Sequence, residues 1–200
     1  MKQHKLRAGD MALIGMFAAL MAVGANITSV APFLQVAGIP LSMQPFFCLL
    51  AALLLGSKRA AIAMLVYALV GLAGTPVFAQ FSAGFAPFAG KSGGFIISYI
   101  PAAFAAGWLV ERKIQPSKIR FLIASLTGTV IMYIIGTIYM YLALKLWIHT
   151  PVNYSTVWGF MTWFMVKDTV LAVLLTFIAP AIYRSIHKAT GFNRHQISST

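Results

Sequence analysis

The sequence predicts an all-α integral membrane protein: a bundle of six transmembrane helices, both termini cytoplasmic, with a ligand pocket facing outward. Three observations predict it. The first is composition: of 200 residues, 60% are hydrophobic and 9% charged, with a mean hydropathy of +0.85. Water-soluble domains carry about 25% charged and about 45–50% apolar residues. One aqueous core hiding this much apolar material would leave too little polar surface to face water. The second is the run of charge-free stretches, over residues 11–57, 60–90, 92–110, 121–144, 146–166 and 169–183. The third is an imbalance of 15 Lys+Arg over 3 Asp+Glu, a net charge of +12. Disorder is excluded by the apolar content, and a disulfide scaffold by Cys48 being the single cysteine.

A spanning helix needs roughly 20 apolar residues at about 1.5 Å each. The first span is read as Met11–Ala31. Pro32, Gln35, Gly38, Pro40, Gln44 and Pro45 break the first charge-free stretch, so a second span starts at Gln44 and runs to Gly56. The third is Ala60–Leu72, before a cluster of Gly71, Gly74, Pro76, Gly84, Pro87 and Gly90. These two are short for a full crossing. Gly93–Val110, Phe121–Leu144 and Trp163–Tyr183 complete the six. Leu146–Val166 carries His149, Pro151, Asn153, Ser155 and Thr156 and is read mostly as a loop, a seventh crossing being the alternative. The whole chain, 1–200, is expected to form one transmembrane domain, with residues 1–10 and 185–200 as cytoplasmic tails.

Six spans place both termini on one side, and the basic residues then segregate. Lys2, Lys5, Arg7, Lys58, Arg59, Arg112, Lys113, Lys118, Arg120, Arg184, Lys188 and Arg194 fall on one face; Lys91, Lys145 and Lys167 fall on the other. The positive-inside rule makes the first face cytoplasmic. Most of the charge therefore encodes orientation and headgroup contact rather than nucleic-acid binding. The N-terminus also resembles a signal peptide, with Val23-Gly24-Ala25 as a small-residue cleavage site. Cleavage would leave five spans and reverse the count, so the segregation favours retention.

On the outer side, Asp168 lies 16 residues before Arg184, roughly 24 Å of helix against a hydrocarbon core of about 30 Å. Asp168 should therefore sit inside the outer boundary, where an ionised group is expensive unless paired or facing a polar cavity. Two readings stand: a Lys167–Asp168 pair that merely ends a helix, or a polar site opening outward. Adjacent helical residues point about 100° apart and are poorly placed to pair, which favours the second. Lys91 lies in Gly90-Lys91-Ser92-Gly93-Gly94 at the start of the fourth span, where glycines permit close backbone approach and a helix N-terminus attracts anions. Two lysines against one aspartate should favour an anionic ligand. A phosphate-loop reading fails, because Phe85 stands where its first glycine is required.

The outer side also carries Gln44, Gln80, Phe46, Phe78, Phe81, Phe85, Phe88, Tyr139, Trp147, Tyr154, Trp158 and Trp163. The aromatics read individually as interfacial belt residues and the glutamines as loop caps. Together they suit a small ligand with an apolar body and a few hydrogen-bonding groups. Catalysis has little support: no metal-ligand spacing, no paired carboxylates and no nucleotide motif are present, and no cofactor is called for. In the first span, Gly15/Ala19 and Ala18/Ala22 are small-xxx-small pairs, suited to internal packing or to contact with a separate membrane subunit.

The motifs Pro40-Leu41-Ser42-Met43-Gln44, Leu53-Leu54-Leu55-Gly56, Tyr67, Gly71-Leu72-Ala73-Gly74-Thr75-Pro76-Val77-Phe78-Ala79 and Gly90-Lys91-Ser92-Gly93-Gly94-Phe95 occur in this order. Together they resemble the BioY family, the biotin-specific substrate-binding (S) components of energy-coupling-factor (ECF) transporters. The resemblance covers nearly the whole chain. It implies a six-helix bundle in a prokaryotic cytoplasmic membrane that binds biotin on its outer side. A membrane (T) subunit and two ATP-binding subunits would drive release inward, with Gly15, Ala18, Ala19 and Ala22 facing the T subunit. It further implies Gln44, Gly74, Phe78, Gln80, Lys91, Tyr139, Lys167 and Asp168 as substrate-binding residues. Asp168, Gln44 and Gln80 would read the ureido ring, and Lys91 or Lys167 would neutralise the carboxylate. The chain departs from the family pattern at Lys91, where proline is frequent, and in the order Lys167-Asp168. Another small anionic vitamin, a proton-coupled secondary transporter working through Asp168, and a membrane enzyme or scaffold are the alternatives.

Overall fold

A computed structural model describes residues 7–27, 29, 35–36, 39–113 and 116–189. Ala31, the expected end of the first span, and Lys2, Lys5 and Arg194 of the basic count lie outside the described residues. Six helices of three turns or more dominate: α1 (Ala8–Asn26), α2 (Gln44–Leu55), α3 (Ser57–Leu72), α5 (Gly93–Glu111), α6 (Lys118–Leu146) and α7 (Tyr154–Ala189). A single turn, α4 (Ala86–Ala89), precedes α5. The remaining regular structure is a 3₁₀ turn, Ala79–Phe81, and a two-residue antiparallel ladder pairing Gln35 with Pro40 and Val36 with Ile39. The architecture is thus helical, apart from that ladder. Four of these helices, α1, α5, α6 and α7, are long and apolar enough to cross a membrane; α2 is a shorter apolar helix.

The break between α2 and α3 is one residue, Gly56, at φ +83°, a conformation that side chains disfavour. It lets α3 begin at Ser57, so Lys58 and Arg59 lie on its first turn rather than in a loop. The largest departure from the sequence expectation is α7. Residues 154–162 are helical, not loop, and only 147–153 separate α6 from α7. The polar Ser155 and Thr156 are exposed on this extension. Its other face continues one buried stripe through Val157, Met161, Phe164, Asp168, Ala172, Leu175, Ala179 and Tyr183. That spacing of three and four is one helix face. No separate helix therefore stands between α6 and α7.

The core follows from small residues. Ala102, Ala103, Ala106 and Val110 of α5 are fully buried, as are Ala124 and Ser125 of α6. Lipid supplies no hydrophobic drive for helix association, so close packing of small side chains must supply it. A Cβ on Gly107 would lie 2.5 Å from the backbone of Gly56 and Ser57, so α5 presses directly on the α2–α3 corner. α1 belongs to the same core through Ile14, Phe17 and Met21.

One end of the bundle is tied by polar contacts. Arg59 Nε meets Asp10 Oδ1 at 3.1 Å, joining α3 to α1. Ser57 Oγ donates to Glu111 Oε2 at 2.6 Å, and Arg120 Nε donates to the Leu109 carbonyl at 2.5 Å. Phe121 of α6 stacks edge-on to Tyr183 of α7 at 5.6 Å. The basic clusters of α3, α5, α6 and α7 thus gather at one end, together with two of the three acidic residues.

Gly107→Val is expected to prise α5 from the α2–α3 corner and cost about 1–3 kcal/mol. Thermal unfolding of the detergent-solubilised protein checks it; an unchanged melting temperature would contradict this packing.

Candidate functional site

Where α2, α5, α6 and α7 converge with the segment between α3 and α5, they enclose a cavity of about 300 Å³. Its charged lining residues are Lys91, Lys167 and Asp168, two cations and one anion. The stripe on α7 carries Met161, Phe164 and Asp168 to this wall, while Tyr133 comes from α6 and Phe95, Ile96 and Tyr99 from α5.

Asp168 is 4% exposed and sits mid-helix, with α7 running on to Ala189. Its carboxylate nevertheless has two partners. Tyr133 Oη donates to Oδ2 at 2.7 Å, and Lys167 Nζ lies 2.8 Å from Oδ1. Lys167 Nζ also donates to the Ser42 carbonyl, just ahead of α2. The expectation that adjacent residues pair poorly is therefore corrected. The flexible lysine stem folds back along the helix, so the ammonium reaches a carboxylate that the Cβ directions alone would separate. The reading of a pair that merely ends a helix fails too, since the pair lies inside α7 and faces the cavity.

Gln44, buried on the first turn of α2, donates from Nε2 to Tyr67 Oη at 2.8 Å, and Tyr67 Oη donates to the Val77 carbonyl at 3.2 Å. These bonds hold the Gln44 side chain, which lines the cavity. Phe78 lines the cavity between Tyr67 and Phe88, edge-on to each at 5.4 Å. Gly71 makes room for it: a Cβ there would fall 2.1 Å from the Phe78 ring. Gln80 lines the cavity from the 3₁₀ turn, with its backbone at φ +59°.

Of the eight residues expected to bind substrate, the structure brings six to this cavity: Gln44, Phe78, Gln80, Lys91, Lys167 and Asp168. It does not bring Gly74 or Tyr139 there. Gly74 turns the chain after α3 at φ +102°, an αL conformation that favours glycine. Tyr139 Oη donates to the Phe88 carbonyl at 2.6 Å and its ring meets Trp147 at 5.8 Å, so it anchors the α4 turn from outside. Gly90 lines the cavity beside Lys91, but Gly93 and Gly94 have a different use from the one expected. A Cβ on Gly93 would lie 1.9 Å from the Phe88 carbonyl oxygen and one on Gly94 2.2 Å from Tyr139 Cβ. They admit protein atoms rather than a ligand.

Sequence reading missed Ser42, Tyr133, Tyr99, Met161 and Phe164. The last two were visible in principle, because they share the three-and-four spacing that leads to Asp168; a loop assignment hid it. On α1, Gly15 and Ala19 are exposed, whereas Ala18 and Ala22 pack against the core.

A family model described as the BioY family matches residues 1–188. The chain belongs to the BioY family. It is similar to BioYB of Bacillus subtilis (strain 168), with 90% identity over 200 residues and the full length of both chains. It is also similar to the biotin transporter BioY of Thermotoga maritima, 33% identical over 163 residues, 80% of this chain and 89% of that one. The biotin transporter BioY of Rhodobacter capsulatus is 33% identical over 179 residues, 86% and 92% of the two chains. Among solved structures, the fold matches that of the S-component for biotin from an ECF-type ABC transporter. The TM-score is 0.75 at 20% identity, over 92% of this chain and 95% of that one. This BioY-family chain is an integral membrane protein.

Removing one member of the buried pair strands the other. Lys167→Met should therefore destabilise the ligand-free protein by roughly 1–3 kcal/mol, read as a lower melting temperature. The double variant Lys167→Met/Asp168→Asn should recover part of that loss. A double variant less stable than Lys167→Met would contradict the pairing.

Proposed function

We propose that this BioY-family chain is a biotin-binding S component mediating vitamin uptake across a prokaryotic cytoplasmic membrane, energised by separate ECF subunits. One observation carries the reading: a buried carboxylate and phenol, Asp168 and Tyr133, with the half-buried Lys167 ammonium, at the wall of a cavity of about 300 Å³. The cavity lies at the small end of the roughly 300–1,000 Å³ usual for small-molecule sites. Biotin carries two ureido N–H donors, one ureido carbonyl, an apolar thiophane ring and a carboxylate. Asp168 accepts from the ureido N–H groups, while Gln44 and Gln80 complete the ring's hydrogen bonds. Phe78, Phe95, Met161 and Phe164 cover the thiophane. Lys91, at the cavity wall, is the principal partner of the carboxylate.

The six longer helices are the six crossings in this reading, with the basic end and both termini in the cytoplasm and the cavity toward the outside. Gly15 and Ala19, exposed on α1, offer a close-approach face to a T subunit, and two ATP-binding subunits act through that contact.

Equilibrium binding to the purified chain tests the substrate. Biotin is expected to bind at micromolar or lower concentration; tight binding of another vitamin in its place would overturn the assignment. Asp168→Asn should weaken biotin binding by about 1–3 kcal/mol, the value of a charge-assisted hydrogen bond, and an unchanged affinity would return Asp168 to a purely structural role. Orientation is checked by thiol labelling of intact cells in a Cys48→Ala background. An impermeant reagent should reach Phe85→Cys from outside and Lys113→Cys only after lysis. The reverse pattern would invert the topology.

A further inference from the structure

The last buried residue of α1, Asn26, makes none of the contacts used above, yet its side chain takes part in four hydrogen bonds. It is 9% exposed. Its Nδ2 donates to the Ala22 carbonyl at 3.0 Å and to the Val77 carbonyl at 3.4 Å. Its Oδ1 accepts from the Phe81 backbone N–H at 2.7 Å and from Ser29 Oγ at 3.4 Å. Ser29 Oγ in turn accepts from the Gln80 backbone N–H at 3.1 Å. The amide therefore holds the segment 77–81 at both ends, from a helix more than fifty residues earlier in the chain. That segment carries Phe78 and Gln80 into the cavity and has two consecutive non-glycine residues at positive φ, Gln80 at 59° and Phe81 at 53°. Side chains rarely adopt that conformation, and it persists only where the surroundings impose it.

We infer that Asn26 is a positioning residue for the ligand site: through Ser29 and the backbone of Val77, Gln80 and Phe81 it latches the 77–81 segment over the cavity and sets how long the ligand stays. An asparagine suits the task because one planar amide donates toward one end of the segment and accepts from the other. Apolar residues leave Phe81 N–H without its acceptor, and aspartate loses both donations. The same Val77 carbonyl receives Tyr67 Oη, whose own oxygen accepts from Gln44. The latch is thus continuous with a residue at the cavity wall. Because Asn26 closes α1, the helix whose exposed face carries Gly15 and Ala19, movement of α1 is transmitted to the segment through these bonds.

The residence-time part rests on the biotin reading above; the latch itself does not. Two measurements separate them. In ligand-free protein in nanodiscs, Asn26→Ala should speed amide hydrogen exchange over residues 77–82 by about tenfold or more, leaving α5 and α6 unchanged. Ser29→Ala should act in the same direction and less strongly. In biotin-bound protein, Asn26→Ala should raise the dissociation rate by about tenfold, with the association rate within about twofold. Unchanged exchange over 77–82 overturns the latch. Faster exchange with an unchanged dissociation rate overturns its control of residence. Faster exchange throughout α1, α5 and α6 also overturns it, by assigning Asn26 to general stability. If the unaltered chain binds no biotin, the substrate reading falls, and exchange alone decides the latch.

Discussion

A single ionised residue, Asp168, constrains the rest of this molecule. It stands in the middle of a 36-residue helix, on the buried stripe that faces the bundle. A carboxylate in such a place must find partners or disrupt the packing. It finds Tyr133 from α6 and Lys167 from its own helix, and Lys167 extends the link to the backbone ahead of α2. Three helices are therefore held in register around one charge. The cavity lies against that charge, so the groups that make the bundle possible also give the pocket its polar wall.

A second constraint is how closely backbones approach. Gly107 against Gly56, Gly71 under Phe78, and Gly93 and Gly94 against Phe88 and Tyr139 all place protein atoms where a methyl group would not fit. Without a hydrophobic drive between helices in lipid, such contacts replace it. They also carry rigidity to the cavity. Gly71 seats the Phe78 ring, and Gly93 and Gly94 seat the turn that presents Lys91. The glycines around the site act on the ligand at one remove, by fixing the side chains that line it.

These same residues account for what the sequence disclosed. Charge-free runs and the segregation of lysine and arginine located α1, α2, α3, α5 and α6 to within five residues at each end, because burying charge in hydrocarbon is costly everywhere. Asp168 and Lys91 stood out for the same reason. Helix α7 was truncated at its start because Ser155 and Thr156 look like loop residues, whereas they occupy the exposed face of a continuous helix. The buried spacing Val157, Met161, Phe164, Asp168 was the signal that outweighed them. Gly74 was placed in the site by motif membership and Tyr139 by its aromatic ring on the outer side, and neither signal separates residues that touch a ligand from those that shape or anchor a turn. Tyr133 and Asn26 could not be found from one chain, since their roles depend on partners 35 and 51 residues away.

In this account the pocket offers an acceptor carboxylate with a phenol, lysine ammonium groups, and aromatic and methionine side chains. The basic end of the bundle contributes orientation, and the exposed small residues of α1 contribute a face for a membrane partner. The most direct measurement is a crystal structure of the chain grown with biotin. The account requires the ureido ring against Asp168 and the carboxylate toward Lys91. Biotin bound outside this cavity, or with its carboxylate turned to Asp168, would contradict it.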